Sequence, residues 1–219
     1  MGGGAVESPF RQSDLTSDLT PDLRLIETVA WDGARFIRLD RHLARLATSA
    51  ARLGFAHDPK AVAAALVPIT DPAPLRVRLT LAQDGAVEVT HAPLAPNPAL
   101  WHVALAQTRL DAADPWLSIK TTRRQLYDRD RAALPTGTDE WLYANQQGEL
   151  CEGTITNVFF DLGTGLCTAP LACGLLPGCL RAELLDSGAA REAILTLDDL
   201  PRARLWVGNS LRGLIPASL

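Results

Sequence analysis

Apolar residues along this chain follow two periods. Residues 23–31 read as a strand, DG at 32–33 is a hairpin turn signal, and residues 35–39 return as a second strand. From Asp40 the spacing lengthens. Leu43, Leu46, Ala47, Ala50 and Leu53 mark one face of a helix, and Gly54 suits its C-terminal cap. Asp58 and Pro59 then start a short alanine-rich helix, as an N-cap and a first-turn proline. Residues 75–81 alternate strictly, as a half-buried strand does, and DG at 84–85 turns them into a second hairpin ending near His91. After a proline spacer, residues 101–107 predict another strand.

Beyond this point the pattern changes. Residues 110–117 suit a crossover and 123–133 a helix. Short strands are predicted at 141–144, 149–153, 158–162, 166–169 and 203–207, with one helix opening at Pro177 and Gly178. The fold class is α+β, with two small mixed α/β domains and a cleft between them. The expected division is a mobile tail at 1–22, a first domain at 23–109, the crossover at 110–117 and a second domain at 118–219.

Composition narrows the function classes. The 219-residue chain is 47% hydrophobic and 21% charged, which suits a soluble globule with a sizeable core. A net charge of −4 without a basic run argues against nucleic acid as a partner. No apolar stretch suggests a membrane span, and no secretory signal is visible, so a cytoplasmic protein is expected. Cys151, Cys167, Cys173 and Cys179 form no metal-binding spacing and read as reduced core residues; no metal site is expected. Of the 21 basic residues only Lys60 and Lys120 are lysine. A lysine kept against an arginine bias either survives by chance or supplies an amine able to lose its proton, which arginine cannot do.

Lys120 lies in WLSIKTTRR (116–124), at the end of an apolar run and beside two arginines. Most lysines are solvated, but desolvation and neighbouring positive charge would here depress the pKa, as a Schiff-base lysine requires. Glu152 precedes a hydroxyl-rich turn in EGTITN (152–157); it is either an exposed turn carboxylate or one aimed into a cleft. GLLPG (174–178) runs into a helix whose first residues, Cys179 and Leu180, carry free backbone N–H groups suited to an anion. VGNSLRG (207–213) is a small-polar turn after a strand, and Arg45 borders the apolar stripe of its helix. An amine, a carboxylate and three phosphate-suited elements are the set that pyridoxal phosphate needs.

In order and spacing, LIETV (25–29), HLARL (42–46), KTTR (120–123), EGTITN (152–157), GLLPG (174–178) and NSLRG (209–213) resemble the fold-type IV pyridoxal-phosphate enzymes, the class IV aminotransferase superfamily. The resemblance spans residues 23–219 and is most similar to the aminodeoxychorismate lyases, including the lyase-like domain of bifunctional aminodeoxychorismate synthases. It implies the D-amino acid aminotransferase-like architecture, with pyridoxal 5'-phosphate in the interdomain cleft. Lys120 matches the lysine that bonds the cofactor and acts as base, and Glu152 the partner of the pyridine nitrogen. Arg45, the N–H groups of Cys179 and Leu180, and Ser210 match the phosphate ligands, and Asn157 belongs to the same cofactor set. Arg212, Arg124 and Glu27 are the candidates for substrate binding. Two positions depart from the relatives. Glu27 is more typical of the aminotransferases, and Gln125 stands where branched-chain transaminases carry a tyrosine.

The implied activity is conversion of 4-amino-4-deoxychorismate to 4-aminobenzoate and pyruvate, a step of folate biosynthesis. The alternatives are transamination of branched-chain or D-amino acids, and a non-catalytic binding module on the same fold. The resemblance also implies a homodimer and a transient contact with an aminodeoxychorismate synthase.

Overall fold

The computed structural model describes residues 13–219. Order begins earlier than the sequence reading places it. A single helical turn, α1 (Ser13–Thr16), puts Leu15 into the first core together with Leu23. Residues 13–22 are therefore not a free tail, and residues 1–12 of the expected tail lie outside the described residues.

Strand β1 (Leu25–Trp31) does not pair with residues 35–39. After the turn only a single bridge forms, between Trp31 and Phe36. Arg38 then takes the left-handed conformation (φ 57°), which ends the extended chain, and α2 (Leu39–Leu53) starts directly behind it. The antiparallel partner of β1 is instead β2 (Leu75–Leu81), from Leu25 opposite Leu81 to Trp31 opposite Leu75. Strand β3 (Val87–Pro93) completes a three-stranded sheet in the order β1-β2-β3. Helix α2 ends as expected at Gly54 in the left-handed conformation, and α3 (Pro59–Leu66) is capped by the Asp58 side chain accepting from the Lys60 N–H.

Pleating sorts this small sheet into two faces. Leu25, Val29, Leu75, Val77, Leu79 and Leu81 are buried, and all but Val29 join Leu46, Leu53, Val62 and Leu66 of the helices in one apolar cluster. Glu27 falls on this same helix-covered face, opposite Leu79. The other face carries Ile26, Thr28, Arg76 and Arg78, all of which line a cleft.

The second sheet has eight strands: β4 (Trp101–Leu110), β5 (Glu140–Asn145), β6 (Leu150–Gly153), β7 (Asn157–Asp161), β8 (Cys167–Thr168), β9 (Arg191–Glu192), β10 (Arg204–Asn209) and β11 (Gly213–Ser218), in the order β10-β11-β4-β5-β6-β7-β8-β9. A further pairing of β10 with β7 folds the sheet back on itself, closing six strands around a core of Val103, Leu142, Leu150, Val158, Leu195 and Val207. Helix α4 (Gln125–Ala132) covers β5, and α5 (Cys179–Asp186) packs near β10. All four cysteines are buried and unpaired. Strand β4 belongs to this larger sheet, so the chain changes sheets between Pro93 and Trp101, ahead of the boundary expected at residue 109. The α+β class stands as read; β9 and β11 are additional.

Candidate active site

Lys120 is reached by an unexpected route. The segment before it is a single helical turn (Pro115–Ser118), and it leads into a single bridge between Thr121 and Leu25. Ile26 N–H donates to Lys120 O at 2.9 Å, and Thr122 N–H to Arg24 O at 2.9 Å. The lysine is thus stitched to the free edge of β1. Its side chain enters a cavity of about 290 Å³ between the two sheets. Among the described residues its amine has no hydrogen-bond or ion-pair partner. Burial, with Arg45 and Arg124 nearby, brings the amine down to about 8.

Glu152, Asn157, Arg45, Cys179, Ser210 and Arg124 line the same cavity. Glu152 stands on β6 opposite Asn157 of β7 and is buried. Tyr127 Oη donates to its Oε1 at 2.6 Å, and the Leu176 N–H to its Oε2 at 2.9 Å. Burial nevertheless pushes this carboxyl up to about 7. Asn157 Nδ2 donates to Leu176 O at 2.9 Å, and its Oδ1 fills the space a side chain at Gly178 would need. Gly178 begins α5 with no side-chain cap, so the first N–H groups of that helix open at the cavity wall. Leu180 does not line the cavity; its side chain is in the core.

Arg45 is held from three sides. Its Nε and Nη2 donate to Glu27 Oε1 and Oε2 at 2.9 and 2.6 Å, and Nη1 to Pro177 O at 3.0 Å. His42 Nδ1 lies 2.6 Å from Glu27 Oε2, and its Nε2 lies 2.7 Å from Ser210 Oγ. Against its own burial, Arg45 and His42 hold Glu27 below the usual carboxylate range. The carboxylate can only accept, so the His42 proton sits on Nδ1. This arrangement corrects the reading of Glu27 as a substrate ligand. The pleat turns it toward α2, both of its oxygens are taken, and it does not line the cavity. Arg38 joins the same junction, with Nε 2.7 Å from Glu183 Oε2 and Nη1 3.2 Å from Ser210 O.

Arg212 is likewise not at the cavity. Its guanidinium bonds Asn97 Oδ1 at 3.1 Å and lies 5.8 Å from the Trp101 ring centroid. The turn it belongs to is built by Asn209, whose Oδ1 accepts from the N–H groups of Leu211 and Arg212. Arg124 does face the cavity, with Nη2 2.7 Å from Thr154 O. Beside it stand Arg76 and Arg78, which alternation alone marks as the solvent side of a half-buried strand. Neither guanidinium has a hydrogen-bond or ion-pair partner among the described residues, and burial with Arg124 and Arg76 nearby lowers Arg78. Tyr127, His42 and Glu140 also join the site without having been singled out by sequence. Glu140 is fully buried and accepts from the N–H groups of Thr154 and Ile155 and from the hydroxyls of Thr154 and Thr156, fixing the turn that follows Glu152.

The residues present fit pyridoxal phosphate. A partnerless amine and a buried carboxylate share one cavity, and an uncapped helix start, an arginine with N–H groups to spare and a serine hydroxyl lie together at its wall.

The chain belongs to the class IV aminotransferase family, whose model (Amino-transferase class IV) matches residues 24–219. Members of this family work with pyridoxal phosphate, and the protein is an enzyme of the lyase or transaminase kind. A curated relative from Schizosaccharomyces pombe, carrying a proposed aminodeoxychorismate lyase assignment, is 30% identical over 200 residues, covering 86% of each chain. A solved structure from Mesorhizobium loti, assigned as a proposed amino-acid aminotransferase, is 54% identical with a TM-score of 0.86, over 90% of this chain and 100% of that one. The 4-amino-4-deoxychorismate lyase from Pseudomonas aeruginosa shares the fold at 22% identity and a TM-score of 0.74, over 89% and 82% of the two chains. No helix among the described residues is long and apolar enough to cross a membrane.

Proposed function

We propose that the protein is a pyridoxal-phosphate-dependent 4-amino-4-deoxychorismate lyase. The observation that carries this reading is the set of arginines lining the cleft that also holds Lys120 and Glu152. There Arg76 and Arg78, both without partners among the described residues, stand with Arg124 over the cavity. Such a lining suits a ligand with more than one carboxylate and opposes the apolar side chain of a branched-chain amino acid. The curated S. pombe relative supports the same reading.

In this function the bound cofactor supplies an electron sink for negative charge developing on the substrate. Glu152 would offer its carboxylate to the pyridine nitrogen. Arg45, Ser210 and the first N–H groups of α5 would hold the phosphate, with Glu27 and His42 fixing Arg45 and Ser210 behind them. Lys120, which needs little alkalinity to lose its proton, is the amine that would hold the cofactor, and it would take the proton from the ring carbon bearing the substrate amine. The neighbouring carbon–oxygen bond then breaks. The ring becomes aromatic as 4-aminobenzoate, and the enolpyruvate released takes up a proton to become pyruvate. Arg76, Arg78 and Arg124 receive the carboxylates.

Incubation with 4-amino-4-deoxychorismate is expected to release pyruvate and 4-aminobenzoate in equal amounts. Amine exchange between an amino acid and 2-oxoglutarate, with no pyruvate from the ring substrate, would replace this reading with the transaminase one, which the 54% identity to the M. loti protein favours. The same proposal includes a homodimer, checked by sedimentation, and a transient contact with an aminodeoxychorismate synthase, checked by coupled turnover.

A further inference from the structure

We propose that Tyr127 is a positioning residue whose phenol keeps the Glu152 carboxylate ionised and turned into the cavity, ready to pair with the pyridine nitrogen. This rests on the cofactor reading above, but the contact itself does not. Glu152 is shut in by β5, β7 and the loop through Leu176, and its two oxygens each receive one donor, Tyr127 Oη at 2.6 Å and Leu176 N–H at 2.9 Å. The backbone donor is fixed by the loop. The phenol is the one a side-chain change removes.

Tyr127 is braced to do this. Its ring meets Tyr143 edge-on at 5.4 Å and 87°, and Tyr143 Oη donates to Asp130 Oδ2 at 2.8 Å. Asp130 is one turn beyond Tyr127 on α4, and its carbonyl accepts from Trp141 Nε1 at 2.8 Å. The Arg124 guanidinium lies 5.3 Å from the Tyr127 ring centroid. Helix α4 is thereby pinned to β5 at Tyr127 and Asp130, which holds the phenol toward Glu152.

A buried carboxyl without donors takes up a proton, and a neutral one cannot hold a pyridinium beside it. The charged and titratable groups facing Glu152 are Lys120, from the segment ahead of α4, and Arg124 and Tyr127, at and on that helix. Cys151, its neighbour on β6, turns the other way, to Cys173 O. Burial and the Glu152 charge drive the phenol far above its ordinary range, so it remains a donor at every working pH. Glu152 itself balances at about 7, where one donor decides which form prevails.

The test is a carbon-13 NMR titration of glutamate-labelled apoprotein, with Glu152→Gln identifying the signal. Wild type is expected to titrate near 7, and Tyr127→Phe about one unit higher or more. Tyr143→Phe, which keeps the ring packed on Tyr127 and removes only the hydroxyl bonded to Asp130, is expected to move the midpoint much less. Should Tyr127→Phe not fold, difluorotyrosine at position 127, a stronger donor, is expected to move the midpoint down. An unmoved Glu152 in Tyr127→Phe, an equal shift in Tyr143→Phe, or an upward shift with the fluorinated residue would overturn the proposal. In loaded protein, Tyr127→Phe should raise the cofactor Kd and lower the protonated fraction of its pyridine nitrogen, read by nitrogen-15 NMR. A shifted Glu152 in a protein that releases no pyruvate would strike the lyase reading alone.

Discussion

Replacing Glu27 with glutamine leaves the shape of the phosphate end nearly unchanged and removes one charge. That charge is shared by two cationic or polar partners: Arg45, bonded through two nitrogens at 2.9 and 2.6 Å, and His42 at 2.6 Å. The side chains of Arg45 and Glu27 are only 11% and 3% exposed, so water cannot stand in for the lost carboxylate. Breaking one half of a buried ion pair costs about 3–5 kcal/mol, because the remaining charge stays desolvated. For a chain of this size that lowers Tm by roughly 6–20 °C, at about 2–4 °C per kcal/mol. Denaturant unfolding of the apoprotein at pH 7 measures it directly. The pair Glu27→Leu with Arg45→Leu should be milder than Glu27→Gln, since both charges leave together. The pH dependence has a fixed sign. Glu27 is held below the usual carboxylate range in the fold, so its contribution is present above the unfolded value and is lost as pH falls through the folded one. Wild type should therefore lose stability below about pH 4.5 faster than Glu27→Gln does. A loss under about 1 kcal/mol at pH 7, or parallel acid profiles for the two proteins, would refute the reasoning.

Three further expectations follow from the site. Capture of pyridoxal phosphate by the apoprotein needs a neutral Lys120, so its rate should climb with pH and level off above about 8, while Lys120→Ala should show neither the cofactor's visible absorbance nor turnover; a rate still climbing at the ordinary lysine value would contradict the desolvated amine. Gly178→Ala drives a methyl group into Asn157 Oδ1 and should cost about 1–3 kcal/mol, with weaker cofactor binding in a fluorescence titration; unchanged stability and affinity would show that the wall yields. Replacing Arg76 and Arg78 together by leucine should raise KM for a dicarboxylate at least tenfold, as loss of about 1.4 kcal/mol or more requires, and an unchanged KM would place the carboxylates elsewhere.

Much of this molecule is legible in its sequence where a local rule has no competitor. Gly54 and Asp58 are the expected helix caps, and the alternation at 75–81 gives β2. Residues 35–39 depart from expectation because a turn signal says only that the chain reverses; which strand pairs with β1 is settled by burial, and β2 offers four apolar residues to the helices. Strand β4 lies in the other sheet from the one expected because pairing is non-local and leaves no mark in the 101–110 window. The site divides the same way. Lys120, Glu152 and Arg45 stand out by type and neighbourhood. Glu27 misleads although its face is written in the period of two. Glu27 is in step with Leu25 and Val29, hence under the helix, and Arg78 is out of step with Val77 and Leu79, hence on the opposite face. The alternation separates inside from outside; it cannot show that this outside face, though exposed, borders a cleft with a second sheet. Tyr127 has no signal at all, since its role depends on where β6 lies.

The attachment of residues 120–122 to the rim of β1 means that the amine is carried by the small sheet and its acidic counterpart by the closed barrel. The gap between those two groups is therefore set by the contacts that join the two sheets, among them Arg38 with Glu183, Arg45 with Pro177 O and His42 with Ser210. Substitutions wherever the two sheets touch are a route by which natural selection can retune the chemistry without altering a single reacting group.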